Sequence, residues 1–216
     1  MAVSMKPVSI ITAAQLRRYG KPLVFAALLL PAAWLVWNWW LAFQYQPNGL
    51  GFNPQETSNR FTGDWAMRIL LMSLALSPLS KLIKSPKPVL FRRMVGLFAF
   101  FYVCLHITSY VWLDMLFDWS ELWADVMKRL YITVGFIAFL LFVPLAVTST
   151  KGWVKRLSAR RWQRLHRSVY AIGVLVIVHF IMMRKGFQAE PLIYGGILMV
   201  LYLLRVWSVR ALLGRG

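Results

Sequence analysis

The sequence predicts an all-α integral membrane protein: a bundle of six transmembrane helices forming one domain over residues 1–216. Three observations point there. Of the 216 residues, 59% are hydrophobic and only 15% are charged, against about 25% charged in an average soluble domain. The mean hydropathy is +0.59. Uncharged stretches also recur at about 20 residues, the length a helix needs to cross the hydrocarbon core. The net charge of +18 would suggest nucleic acid in a soluble chain. Cytoplasmic loops of membrane proteins collect lysine and arginine too, and the distribution described next favours that cause. Membrane lipid is the expected surrounding, with no nucleic-acid partner. The single cysteine, Cys104, excludes an intramolecular disulfide or a multi-cysteine metal cluster and reads as a packing residue.

The spans follow in order. No charge occurs between Lys21 and Glu56, and residues 22–43 form the first span. Trp37, Trp39 and Trp40 near its outer end suit an aromatic belt. The basic segment before it precedes a span too long for a signal-peptide core, so the first helix is expected to stay attached. The second span, 62–80, carries Asp64 and Arg68, spaced to pair on one helix face. The third, 94–113, is free of charge between Arg93 and Asp114; the fourth, 130–150, is free of charge between Arg129 and Lys151. The fifth covers 163–183, and the sixth, 191–208, holds Arg205 late, where a long side chain snorkels to the interface. A five-span arrangement with a re-entrant second segment is the alternative.

Six spans place both termini on one side. That side gathers Lys6, Arg17, Arg18 and Lys21, the cluster from Lys81 to Arg93, the cluster from Lys151 to Arg167, and Arg205, Arg210 and Arg215. By the positive-inside rule it is the cytoplasmic face of a bacterial inner membrane. All seven acids fall on the other side. Four of them, Asp114, Asp118, Glu121 and Asp125, lie between the third and fourth spans and are expected to border a docking surface, since complementary charge steers encounters.

The chemistry sits in three histidines. Ionisable groups in membrane helices are costly and are functional candidates by default, and neutral imidazole is a common axial ligand of haem iron. His106 lies about 12 Å from the outer end of the third span and His179 about 7 Å from the outer end of the fifth, at 1.5 Å per residue. Two imidazoles at one level on two helices are what a bis-histidine haem requires, so b haem is expected between helices 3 and 5. His166 lies about 20 Å lower on the fifth helix, turned about 140° from His179 if that helix is ideal. It suits a second, inner haem or redox site, with no fourth histidine to pair with it. Arg92, Arg93 and Arg164 read either as positive-inside anchors or as donors to haem propionates, a flavin phosphate or a quinone carbonyl.

The strings RRMVGLFAFFYVCLHITSY and AVTSTKGWVKRLSARRWQRLHRSVYAIGVLVIVHF, with RFTGDWAMRILLMSLALSPL before them, resemble the MsrQ (YedZ) family. These are the haem-binding membrane subunits of the bacterial methionine sulfoxide reductase system, in the ferric-reductase-like transmembrane superfamily. The resemblance spans roughly residues 22–208, and the block Trp162, Leu165, His166, Arg167 and Tyr170 is its most specific part. It implies one or two b haems at His106, His166 and His179, with FMN as a further cofactor. It also implies electrons drawn from the quinone pool or a cytosolic flavin reductase and delivered to MsrP, a periplasmic molybdopterin enzyme on which the methionine sulfoxide chemistry takes place. Relatives with an appended nucleotide-binding domain carry two histidines in the third helix where this chain has His106 alone. No such domain occurs before Gly216, so an external donor is expected. The rival functions are a b-type cytochrome subunit for another dehydrogenase or a metal reductase, and a non-redox transporter or scaffold.

Overall fold

The computed structural model describes residues 12–184 and 188–213; Lys6 and Arg215, counted above on the basic side, lie outside them. Among the described residues every regular element is helical. The first helix, α1 (Ala13–Phe43), opens on a reciprocal cap in which Thr12 and Gln15 exchange side-chain and backbone hydrogen bonds. A second helix, α2 (Pro54–Leu82), starts earlier than the expected 62–80. The Asn53 side chain accepts the Glu56 N–H at 3.2 Å and Pro54 occupies the first turn, a start signal that an apolar-span search overlooks.

The third helix, α3 (Arg92–Ser109), is continued by a π-helical turn over Tyr110–Asp114. A short surface helix, α4 (Trp119–Lys128), bridges to α5 (Leu130–Val147). Then come α6 (Lys151–Leu157), α7 (Ala159–His166), α8 (Val169–Met183) and α9 (Ala189–Leu213). The expected single helix over 163–183 is divided by a turn at Arg167–Ser168, so the ideal-helix phase between His166 and His179 does not apply.

Among the described residues, five stretches are long and apolar enough to cross a membrane: Ala13–Phe43, Pro88–Asp114, Leu130–Val147, Ala159–Met183 and Ala189–Val206. The remaining long helix, α2, carries Glu56, Arg60, Asp64 and Arg68 along its first half and falls outside that set. Its apolar side chains pack inward instead, with Ile69, Leu70 and Met67 at most 3% exposed. Arg68 does not pair with Asp64. It crosses to α9, donating from Nε to the Tyr194 hydroxyl at 2.9 Å and lying 3.5 Å from Glu190.

Two antiparallel pairs, α2 with α3 and α5 with α8, make the centre of the bundle. Tyr102 on α3 ties α1 to them. Wholly buried, its hydroxyl donates to Leu28 O at 2.8 Å and accepts the Ala32 N–H at 3.0 Å, beside Pro31, which has no N–H of its own to give. The outer tryptophans divide. Trp37 and Trp40 face outward, while Trp39 donates its indole N–H to the buried Ser58 at 2.9 Å.

Candidate haem site between the third and eighth helices

His106 sits on the last turn of α3. Its Nδ1 lies 2.9 Å from Asn59 O on α2. A carbonyl only accepts, so Nδ1 carries the proton and Nε2 keeps a free lone pair. His179 near the end of α8 repeats the arrangement, with Nδ1 2.7 Å from Tyr131 O on α5. The imidazole follows its carbonyl by 47 residues in one case and by 48 in the other. One turn after each carbonyl stands a glycine. A Cβ on Gly63 would come within 3.1 Å of His106 Nδ1, and a Cβ on Gly135 within 2.8 Å of His179 Nδ1. Both glycines therefore clear the space through which an imidazole reaches a helix backbone.

The two rings face one another with centroids 6.3 Å apart and planes at 77°. Two metal–nitrogen bonds of about 2.0 Å plus two ring radii of about 1.1 Å make about 6.2 Å. That spacing suits a metal ion shared by the two imidazoles, each of which keeps Nε2 free. Around the rings lies a cavity of about 730 Å3 walled by apolar side chains, among them Val103, Phe136, Phe139, Phe142, Ile172 and Val176. Its size and apolar walls suit a flat, greasy macrocycle. Charge gathers where the N-terminal end of α2, the C-terminal end of α3 and the start of α5 meet, at Glu56, Arg60, Asp114 and Arg129. The residues that orient the imidazoles, Asn59, Gly63, Tyr131 and Gly135, drew no notice in the sequence. Their one signal was a lone glycine inside each of two helical patterns, where a close packing contact is the usual reason.

His166, at the end of α7, is placed apart from that pair. Its ring stacks on Trp162 at 3.9 Å, and Nε2 lies 3.1 Å from the Thr148 hydroxyl. That hydroxyl donates to Pro144 O at 2.6 Å, so its oxygen accepts and His166 Nε2 is the donor. The Trp162 indole N–H closes the group by donating to Thr148 O at 2.9 Å. Arg92 stands within electrostatic range of His166, whereas Arg93 and Arg164 are exposed. None of these three arginines lines the His106/His179 cavity; Arg60 and Arg129 do.

The acidic loop also separates into roles. Asp125 is no docking residue: it is buried, accepts the Tyr110 hydroxyl at 2.7 Å and pairs with Arg129 at 3.1 Å. Asp118 caps α4, and the Glu121 N–H and Ser120 hydroxyl hold its carboxyl below the ordinary carboxylate range. Asp114 lines the cavity mouth, leaving Asp118 and Glu121 turned to solvent.

Residues 62–178 match the family described as Ferric reductase like transmembrane component. Over 88% of this chain, the sequence is 49% identical to the protein-methionine-sulfoxide reductase heme-binding subunit MsrQ of Rhodospirillum rubrum, covering 88% of that protein. It is 45% identical to the protein of the same name from Caulobacter vibrioides, over 89% of this chain and 88% of that one. The Xanthomonas campestris protein of that name is also 45% identical, over 95% of this chain and 91% of its own. The length of these matches and the fold agree, and the chain belongs to the MsrQ family of ferric-reductase-like transmembrane proteins.

Proposed function

We propose that the chain is the haem b electron-transfer subunit of a methionine sulfoxide reductase system in a bacterial inner membrane. It takes electrons from quinol or reduced flavin and passes them to a periplasmic reductase, MsrP, that repairs oxidised periplasmic proteins. The observation that carries this is the opposed pair His106/His179, each with Nδ1–H tied to a backbone carbonyl and Nε2 free within an apolar cavity. Haem bound there supplies a one-electron couple. The protein holds the two imidazoles in one tautomer, keeps the walls dry, and opens the charged end toward the outer face.

In this reading α2 is the sixth span, with its apolar face against α3 and its charged first turns at the outer surface, and both termini are cytoplasmic. At the opposite end of the bundle, His166, Trp162 and Arg92, with Arg93 and Arg164 on the surface, form the inner redox site where quinol or reduced flavin delivers electrons. FMN as a resident cofactor rests on the family resemblance alone. A reduced-minus-oxidised absorption spectrum of the purified chain is the direct test; a b-type low-spin haem signal is expected, and its absence would remove the electron-transfer role.

The outer docking surface then centres on Asp118, Glu121 and the exposed Trp119 and Trp123 of α4. Reversing Glu121 to lysine should raise the partner's apparent KM several-fold at low salt and little at high salt, because exposed charges are screened beyond about 8 Å at physiological ionic strength. An unchanged KM at low salt would take Glu121 out of the contact.

A further inference from the structure

The cavity around His106 and His179 has two basic residues in its lining, Arg60 and Arg129. Each stands beside the backbone that orients one imidazole. Arg60 follows Asn59, whose carbonyl holds His106; Arg129 comes just before Tyr131, whose carbonyl holds His179. Both guanidiniums are half-exposed and already paired with an acid. Arg60 Nη2 lies 2.5 Å from Glu56 Oε1. Arg129 Nε lies 3.1 Å from Asp125 Oδ1, and its Nη1 reaches the Tyr131 hydroxyl at 3.4 Å. Asp125 is fixed in turn by the Tyr110 hydroxyl. A guanidinium has five N–H donors, and these contacts use a minority of them.

A haem is a flat apolar disc with two carboxylates on one edge. Those carboxylates have no favourable place among Phe136, Phe139, Phe142 and Ile172, where an unpaired charge is strongly disfavoured. The three acids of the lining, Glu56, Asp64 and Asp114, oppose them as well, which makes a guanidinium for each carboxylate the chemistry the site needs.

We propose that Arg60 and Arg129 each receive one propionate of the haem held by His106 and His179, so that its acidic edge faces the outer mouth beside α4 and its apolar edge faces Phe142 and Ile172. The proposal rests on the haem reading above. It assigns two residues on different helices to one edge of the ligand, and it turns that edge toward the surface where the partner docks.

The test is a chemical double-mutant cycle on the full chain in detergent. Apo-protein is reconstituted with haem or with haem dimethyl ester, whose carboxylates are blocked. The rate of transfer to excess apomyoglobin is then read for the native chain, Arg60→Gln, Arg129→Gln and the pair. With haem, each single variant should release about tenfold faster, as expected when a charge-assisted hydrogen bond is lost. With the ester, the native chain should release as fast as the double variant, and the substitutions should add nothing. A low-spin bis-imidazole spectrum in every sample confirms an intact pocket, and Arg→Lys should restore part of the retention. Equal acceleration with haem and ester, or no acceleration with haem, overturns the propionate assignment while leaving haem ligation standing. Failure of the native chain to bind either form overturns both.

Discussion

Alanine at His106 or at His179 is expected to abolish the low-spin haem signal and to cut haem per chain by more than tenfold. Each imidazole keeps Nε2 free, and in the proposed reading the pair would hold one haem iron between them. Changing a group that merely orients a metal ligand already costs about 10–100-fold in affinity, so losing the ligand itself should cost at least as much. The two variants should behave alike, because the two imidazoles are held in the same way. His166→Ala should leave that signal in place, since its ring is stacked on Trp162 and bonded to Thr148 outside the cavity. Its loss should appear instead in the rate of reduction by quinol or flavin. Haem quantitation with a difference spectrum on the three variants decides the matter, and retention of the full signal in either His106→Ala or His179→Ala would remove the paired-ligand geometry.

Gly135→Ala is expected to weaken haem binding by about 10–100-fold. The added Cβ would stand 2.8 Å from Nδ1 and 2.9 Å from Cε1 of His179, well inside the 3.5–4.0 Å at which such atoms pack. The imidazole must retreat by roughly 1 Å, which breaks its 2.7 Å bond to Tyr131 O and swings Nε2 off the axis shared with His106. Alanine meanwhile favours the helix by about 0.5–1 kcal/mol relative to glycine. The broken bond leaves a buried N–H and carbonyl unpaired at about 1–3 kcal/mol, so apo-protein stability should fall slightly while haem affinity falls far more. Gly63→Ala, with its nearest approach of 3.1 Å to His106, should show a weaker form of the same effect. Gly196→Ala in α9 meets nothing within 4 Å and is the neutral control. Thermal melts of the apo-protein, with haem dissociation rates for the three variants, make the comparison. Unchanged haem retention in Gly135→Ala would show that the backbone approach of His179 is dispensable.

These two predictions differ in how visible their residues were beforehand. His106 and His179 stood out because a histidine inside an apolar run is rare and costly, and a helix rise of 1.5 Å per residue set them at similar heights. Gly63 and Gly135 look like many glycines in membrane helices. Their role depends on which imidazole crosses from a helix 47 or 48 residues away in sequence, and helical periodicity within one segment carries no record of that. Asp125 shows the reverse case. Its place in an acidic loop suggested a solvated docking charge, whereas the π-helical turn after Ser109 and the short α4 bring Tyr110 and Arg129 onto it.

Composition and charge order by themselves determined the membrane class, five of the six expected apolar spans, the clustering of basic residues and the matching level of two histidines. All of these follow from local rules: chain length against bilayer thickness, and the cost of charge in hydrocarbon. Only the tertiary structure decided that Asn59 and Tyr131 set the imidazole tautomers and that Arg60 and Arg129, rather than Arg92, Arg93 and Arg164, border the cavity. It alone divided the fifth span between His166 and His179. Those are contacts between helices far apart in the chain. Side-chain shape and hydrogen-bond satisfaction choose among the many pairings that the same apolar pattern allows.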